Sequence, residues 1–157
     1  MIKEALFGAG CFWGVQRDFD QIPGVLETQV GYAGGALANP TYQQVCAHQT
    51  GHAEVVWIRF DADKLSYNTL LEAFFSNHNP TTLNRQGPDI GTQYRSVIFY
   101  FDEEQAQWAK AYVLELERTL KFHAPIVTQI IPWPTFYPAE EYHQKYLEKR
   151  GGDRCGV

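Results

Sequence analysis

The chain has 157 residues, 45% of them hydrophobic, with a formal charge of −5 at pH 7 and three cysteines. That length buries a core without disulfide staples or a structural metal, the apolar share excludes a disordered chain, and the scattered mild acidity excludes a phosphate-backbone footprint, so no nucleic-acid partner is expected. Cys11, Cys46 and Cys155 are odd in number and widely spaced, unlike a secreted disulfide framework or a zinc site, and no apolar run is long enough for a secretory signal or a bilayer. Reduced thiols in a cytoplasm, away from any membrane, are the expectation.

In chain order, "EALFGAG" (4–10) reads as a short strand ending in glycines, and "CFWGVQRDFDQI" (11–22) winds into a helix with Phe12, Val15 and Phe19 on one face. "VLETQVGYAGG" (25–35) has the β-branched and aromatic content of a second strand. "TYQQVC" (41–46) is a helical turn with Tyr42, Val45 and Cys46 on one side, which makes Cys46 a buried, inert thiol. "AEVVWIRFD" (53–61) alternates as a strand with Val56, Ile58 and Phe60 facing one way.

Ser66 caps a helix over 67–78 whose Leu70, Leu71, Phe74 and Phe75 form a core stripe. Residues 79–94, "NPTTLNRQGPDIGTQY", are turn chemistry, and so long a polar loop inside a compact domain marks a binding loop. "RSVIFYF" (95–101) is a strand. Asp102 with Gln105 signs a capping box for a long helix carrying Trp108, Tyr112, Leu116 and Leu120, and "PIVTQIIPW" (125–133) is a last, edge strand bracketed by prolines. Mixed connection lengths and the absence of a glycine-rich phosphate turn predict an α+β fold, a two-layer sandwich around a mixed sheet. Residues 1–150 are expected to form one globular domain, and "GGDRCGV" (151–157) a mobile tail.

Cys11 falls at a strand-to-helix turn, where unpaired N–H groups and the positive end of the helix dipole favour a thiolate. The alternative is a small hydrophobe packed beside glycines. Phe12 and Trp13 cannot both face the core from the first helical turn, so one or both wall a pocket beside the sulfur, unless one is an incidental exposed aromatic. Glu54 stands at the mouth of an apolar strand, where half-burial raises a carboxyl pKa towards general-acid duty; a solvated strand-end glutamate is the plainer alternative. Tyr32 and Tyr94 sit beside glycines at strand ends, where a phenol can donate to a bound oxygen.

"GCFWG" (10–14) resembles the signature of peptide methionine sulfoxide reductases of the A type. "GYAGG", "NPTY", "VC", "TGHAEVV", "LNRQGPDIGTQYRS" and "FYPAEEYHQKY" are similar to further blocks of that family in the same order, from about residue 5 to about 147. The resemblance implies an α+β sandwich with Cys11 as nucleophile, Glu54 as acid, and Tyr32 and Tyr94 as phenols on the sulfoxide oxygen. It further implies Phe12 and Trp13 around the substrate's S-methyl group and Asp89 beside the substrate backbone. The implied reaction is reduction of the S epimer of methionine sulfoxide, free or in peptides and oxidised proteins. Cys11 ends as a sulfenic acid, Cys155 condenses with it, and thioredoxin resets the disulfide. No metal or organic cofactor is implied, and a monomer is expected. Asn79 stands where the family commonly carries aspartate.

Two rival classes use the same residues. A cysteine hydrolase would pair Cys11 with a histidine such as His52, and a non-catalytic module would bind methionine-rich segments through Phe12 and Trp13 without needing either Cys11 or Cys155.

Overall fold

The computed structural model describes residues 1–47 and 50–150. A six-stranded mixed sheet runs in the order β7-β6-β1-β3-β2-β8. Its strands are β1 (Ile2–Ala9), β2 (Val25–Ala33), β3 (Ala53–Asp61), β6 (Ser96–Tyr100), β7 (Gln129–Pro132) and β8 (Phe136–Pro138). All neighbours are antiparallel except β6 and β7, which are parallel. This is the α+β architecture expected from the sequence.

Three helices cover the sheet: α1 (Phe12–Asp20), α3 (Tyr67–Ser76) and α4 (Glu103–Arg118). The strand period of two sends Ala5 and Phe7 of β1, Val30 and Tyr32 of β2, and Val56, Ile58 and Phe60 of β3 into one core with Phe12, Phe19, Leu70, Leu71, Phe74 and Phe75. Phe7 is its hinge, with ring centroids 5.5 Å from Phe19 and 5.0 Å from Phe74. The reverse face carries a smaller cluster of Leu6, Ala33, Ala53, Val55, Val97 and Phe99.

Caps fall where the sequence puts them. Ser66 accepts from the Thr69 N–H and Asp102 from the Gln105 N–H. The reciprocal arm of the second cap lands one residue early, on the Phe101 N–H, and the Gln105 amide also donates to the Glu4 carbonyl, tying α4 to β1.

The readings of α1, α4 and the 125–133 strand each need adjustment. On α1 Val15 packs part-buried against the core that holds Phe12 and Phe19, as expected, but Gln16 is buried as well, because its amide donates to Thr28 Oγ1 and its oxygen accepts the Lys145 N–H. On α4 the buried residues are Gln105, Ala106, Ala109 and Leu116. Leu120 lies past the helix end at φ 54 and is 79% exposed, and Trp108 is 37% exposed. Residues 125–133 do give an edge strand, β7, but it is not the last.

The last strand, β8, was hidden by its brevity. It lies on the opposite edge, pairing Gly31 with Pro138 and Ala33 with Phe136. Beyond it the side chain of Gln144 continues the ladder, accepting from the Val30 N–H and donating to the Val30 carbonyl, each at 2.9 Å. Lys145 Nζ reaches Asp20 at 2.6 Å. The segment 139–145 is thereby fastened against β2 and α1, and short α5 (Tyr146–Arg150) follows it.

The predicted binding loop is ordered. It folds back on itself through two-residue strands β4 (Arg85–Gln86) and β5 (Asp89–Ile90), then a single 3-10 turn at Thr92–Tyr94. The Gln86 side chain clasps the backbone of Asn79 with both arms, accepting from its N–H at 2.8 Å and donating to its carbonyl at 2.9 Å. Asn79 in turn accepts from both the N–H and the hydroxyl of Thr81. At the root of this loop a buried chain of polar groups joins His78 to Ser96 and Ser96 to Thr128, each at 2.7 Å, and burial holds His78 down at about 4, so it is neutral.

Candidate active site

Cys11 is the N-cap residue of α1, at φ −57 and ψ 122, between the end of β1 and the first helical turn. Gly10, just before it, turns the chain at φ +99, and a Cβ there would meet the Gln86 side chain at 2.8 Å. Only glycine lets the binding loop lie so close to the residue that precedes the cysteine. The strand-to-helix turn read from the sequence is the one observed.

The N–H of Phe12, one of the unpaired donors of that helix end, points at Oε1 of Glu54 at 3.2 Å. Glu54 is 1% exposed, and its other oxygen makes no hydrogen bond among the described residues. Burial pushes its carboxyl up to about 8, opposed by the Phe12 N–H and reinforced by the charge of Asp89. The half-buried acid expected at the strand mouth is therefore a fully buried one, held at the same helix terminus as Cys11.

Two phenols border this carboxyl. Tyr94, half-buried at the end of the 3-10 turn, is pushed up to about 12 by burial and by the charges of Glu54, Cys46 and Asp89. Tyr42, the first residue of α2 (Tyr42–Cys46), is driven far above its usual range by burial, by a hydrogen bond to Cys46, and by Glu54 and Tyr94. Glu54 and Cys46 act on both phenols, and Asp89 on Tyr94 and Glu54, which gathers Glu54, Asp89, Tyr42, Tyr94 and Cys46 into one cluster.

Tyr32 stands apart from the expectation. It is 0% exposed, and its hydroxyl donates to Oε1 of Glu140 at 2.9 Å. A phenol so buried and already committed has no free proton for a ligand. The Tyr42 hydroxyl is instead turned to Cys46, within the field of Glu54. Cys46 is half-buried rather than enclosed, at the edge of this cluster, and burial holds its thiol above the usual range. Cys155 lies outside the described residues.

The aromatic pair divides its duties. Phe12 is 1% exposed and sits in the core, 5.8 Å from Tyr32, 6.5 Å from Tyr42 and 5.2 Å from His143 by ring centroid. Trp13 is half-buried, stacked on Tyr146 at 3.8 Å and 11°, and its indole N–H donates to Nδ1 of His143 at 2.9 Å. That bond puts the imidazole proton of neutral His143 on Nε2. Burial keeps His143 below its usual pKa, so the acceptor persists at neutral pH.

His52 is excluded as a partner for Cys11. Its Nδ1 accepts from the Gly35 N–H at 2.9 Å and its Nε2 faces the Leu37 carbonyl at 2.7 Å, so both nitrogens serve the turn after β2. Sequence reasoning missed Tyr42, Glu140 and His143. The first carried a signal, since Tyr42 and Cys46 lie four apart on one helical face. The other two are placed by a segment whose own elements are too short to read. Among the described residues no group of three or more histidines, cysteines or carboxylates is arranged to hold a metal, and no helix is long and apolar enough to cross a membrane.

A cysteine at a helix N-terminus, a buried carboxyl of raised pKa bonded to the next residue, and phenols in the same cluster are the parts a thiol-based oxidoreductase requires. Residues 3–157 match the family profile of peptide methionine sulfoxide reductase. The chain is 57% identical to the peptide methionine sulfoxide reductase MsrA of Acidobacterium capsulatum over 156 residues, covering 99% of this chain and 100% of that protein. In structure it is similar to Mxr1 from Saccharomyces cerevisiae in reduced form, with a TM-score of 0.92 at 34% identity, covering 99% of this chain and 90% of that one. It is also similar to methionine sulfoxide reductase A of Corynebacterium diphtheriae, with a TM-score of 0.88 at 35% identity, covering 99% and 78%. The chain belongs to the peptide methionine sulfoxide reductase family and is an oxidoreductase.

Proposed function

We propose that the residues gathered here reduce the S epimer of methionine sulfoxide through Cys11, with Glu54 as proton donor. The observation that carries this reading is the 3.2 Å bond from the Phe12 N–H to Glu54, which sets the acid against the helix end that bears the nucleophile. A sulfoxide sulfur is electrophilic only when its oxygen is neutralised. The thiolate of Cys11 attacks that sulfur while Glu54 gives its proton to the oxygen, and Tyr42 and Tyr94 hydrogen-bond it. Oxygen passes to the Cys11 sulfur and methionine leaves, so the two electrons gained by the substrate are those lost by Cys11 as it becomes a sulfenic acid. Trp13 and the adjoining Phe12 form the apolar receptor for the S-methyl group, and Asp89 faces the backbone of a peptide substrate. Tyr32 supports from behind.

The thiol of Cys155 then attacks the sulfenic sulfur, forming a disulfide and releasing water, and a dithiol of the thioredoxin type restores both cysteines. Both steps rest on the family resemblance. A reducing compartment, the cytoplasm, and a monomeric enzyme fit this cycle, which needs no organic cofactor.

The test is incubation of the reduced protein with peptides containing S- or R-methionine sulfoxide and dithiothreitol, following methionine by chromatography. Methionine from the S peptide alone is expected. Equal yields from both epimers, or none from either, would overturn the reading.

A further inference from the structure

α2 has five residues, too few for intrahelical bonds to hold it in place, so tertiary contacts must set its orientation. Thr41 and Gln44 close a capping box at its start, but both are exposed. The contact that reaches inward is Glu140. Its Oε2 accepts the backbone N–H of Tyr42 at 3.0 Å while its Oε1 accepts the hydroxyl of Tyr32 at 2.9 Å. One carboxylate therefore bridges the first residue of α2 to a phenol locked in β2, and Glu140 itself follows directly on β8 and the Ala139 N–H bond to Val30.

Three features show that this fork is built. Tyr32 is rigid, being 0% exposed and paired in register with both Glu54 on β3 and Tyr137 on β8. Burial alone would raise the Glu140 carboxyl, yet the N–H of Tyr42, its own N–H and the Tyr32 hydroxyl hold it below the usual range, so it stays a charged acceptor. The ring of Tyr42, held at its backbone by this bond, lies 4.4 Å from His143 and stacks near Phe12.

We infer that Glu140 is a positioning residue for the reaction: its two oxygens fix the start of α2 and consume the Tyr32 hydroxyl, so that Tyr42 and not Tyr32 meets the substrate oxygen. This rests on the reading that Tyr42 hydrogen-bonds the sulfoxide. Glu140 acts only through Tyr42, and the two residues must be coupled.

A double-mutant cycle tests it, with single-turnover methionine formation by the full-length reduced enzyme and a methionine S-sulfoxide peptide. Tyr42→Phe is expected to slow the step roughly tenfold, the worth of one hydrogen bond. Glu140→Ala should slow it about as much with KM for the peptide unchanged, and Glu140→Ala in the Tyr42→Phe background should add less than about twofold. Glu140→Gln should restore the rate to within about threefold of the parent, since its amide oxygen can accept from Tyr42 N–H while its NH₂ donates to the Tyr32 oxygen. If Glu140→Ala does not fold, Glu140→Asp takes its place in the cycle, being one methylene too short to reach both partners.

Multiplicative losses in the double variant, a parental rate in Glu140→Ala, or Glu140→Gln as slow as Glu140→Ala would each overturn the inference while leaving Tyr42 in its role. A parental rate in Tyr42→Phe would instead overturn the reading on which the inference stands, and the inference with it.

Discussion

The backbone N–H of Phe12 and the carboxylate oxygen of Glu54 meet at 3.2 Å across 42 residues of sequence. Two opposed effects meet at this carboxyl. The bond draws the carboxyl pKa down, as any hydrogen bond to the charged form does, while the burial that makes the bond necessary drives it up, and burial wins by taking the group to about 8.

A pH dependence follows from that sign. As proton donor, Glu54 must be protonated, so single-turnover reduction is expected to fall as pH rises through about 8. Glu54→Gln removes the proton but keeps the shape and an oxygen for the Phe12 N–H, and it should slow the step by ~10²–10⁴ and flatten that alkaline limb. An alkaline limb that survives in the variant would assign it to another group.

The same shift is a stability statement. A carboxyl whose folded pKa lies above its unfolded value near 4.5 stabilises the fold most below that value, and the contribution is lost as pH rises through about 8. Glu54→Gln should therefore match the parent in thermal unfolding near pH 4 and exceed it at pH 8.5. Parallel melting curves at both pH values would contradict the buried placement.

Trp13 and Phe12 separate binding from folding. Phe12→Ala should cost about 3–5 kcal/mol of stability, the usual loss for a buried phenylalanine. Trp13→Ala removes a half-buried ring and should instead raise KM roughly tenfold with a small change in unfolding temperature. Denaturant titration beside steady-state kinetics distinguishes them.

At Gly10 a side chain meets two obstacles, the φ of +99 and the Gln86 side chain 2.8 Å from the new Cβ. Gly10→Ala is expected to cost about 1–2 kcal/mol for the backbone alone. It should also push the 79–94 loop away from Cys11, so peptide KM should rise; Gly10→Ala combined with Gln86→Ala should recover part of that rise.

Cys155 and Cys46 are told apart by alkylation after one equivalent of sulfoxide without reductant. A Cys11–Cys155 disulfide with Cys46 unpaired is expected. Cys155→Ser should release one methionine per enzyme yet fail to turn over with thioredoxin. A Cys11–Cys46 bond would reassign the resolving role.

Most of the frame was legible because it obeys local rules. Alternating apolar residues marked β3, β-branched and aromatic content marked β2, the Ser66 and Asp102 caps placed α3 and α4, and glycine followed by cysteine at a strand end located the turn that bears Cys11. What escaped was long-range. Nothing near Tyr32 in sequence says that Glu140, 108 residues on, will accept its hydroxyl hydrogen bond, and nothing near Tyr42 says that the same carboxylate will hold its backbone. Nothing local marks Gln16 or Gln144 as structural, because their partners, Lys145 and Val30, lie far away along the chain. β8 is three residues long, below what any periodicity can register.

The clasp of Gln86 on position 79 takes hold of the peptide unit and ignores the side chain. What position 79 supplies from its side chain is one oxygen turned to Thr81, which an amide and a carboxylate offer alike. The two jobs are thus uncoupled: the loop's distance from Cys11 is set by a residue seven further on, and asparagine and aspartate become interchangeable here without disturbing it. A lineage is free to trade a negative charge for a neutral group at this rim, adjusting which peptides approach, while the reacting groups keep their spacing.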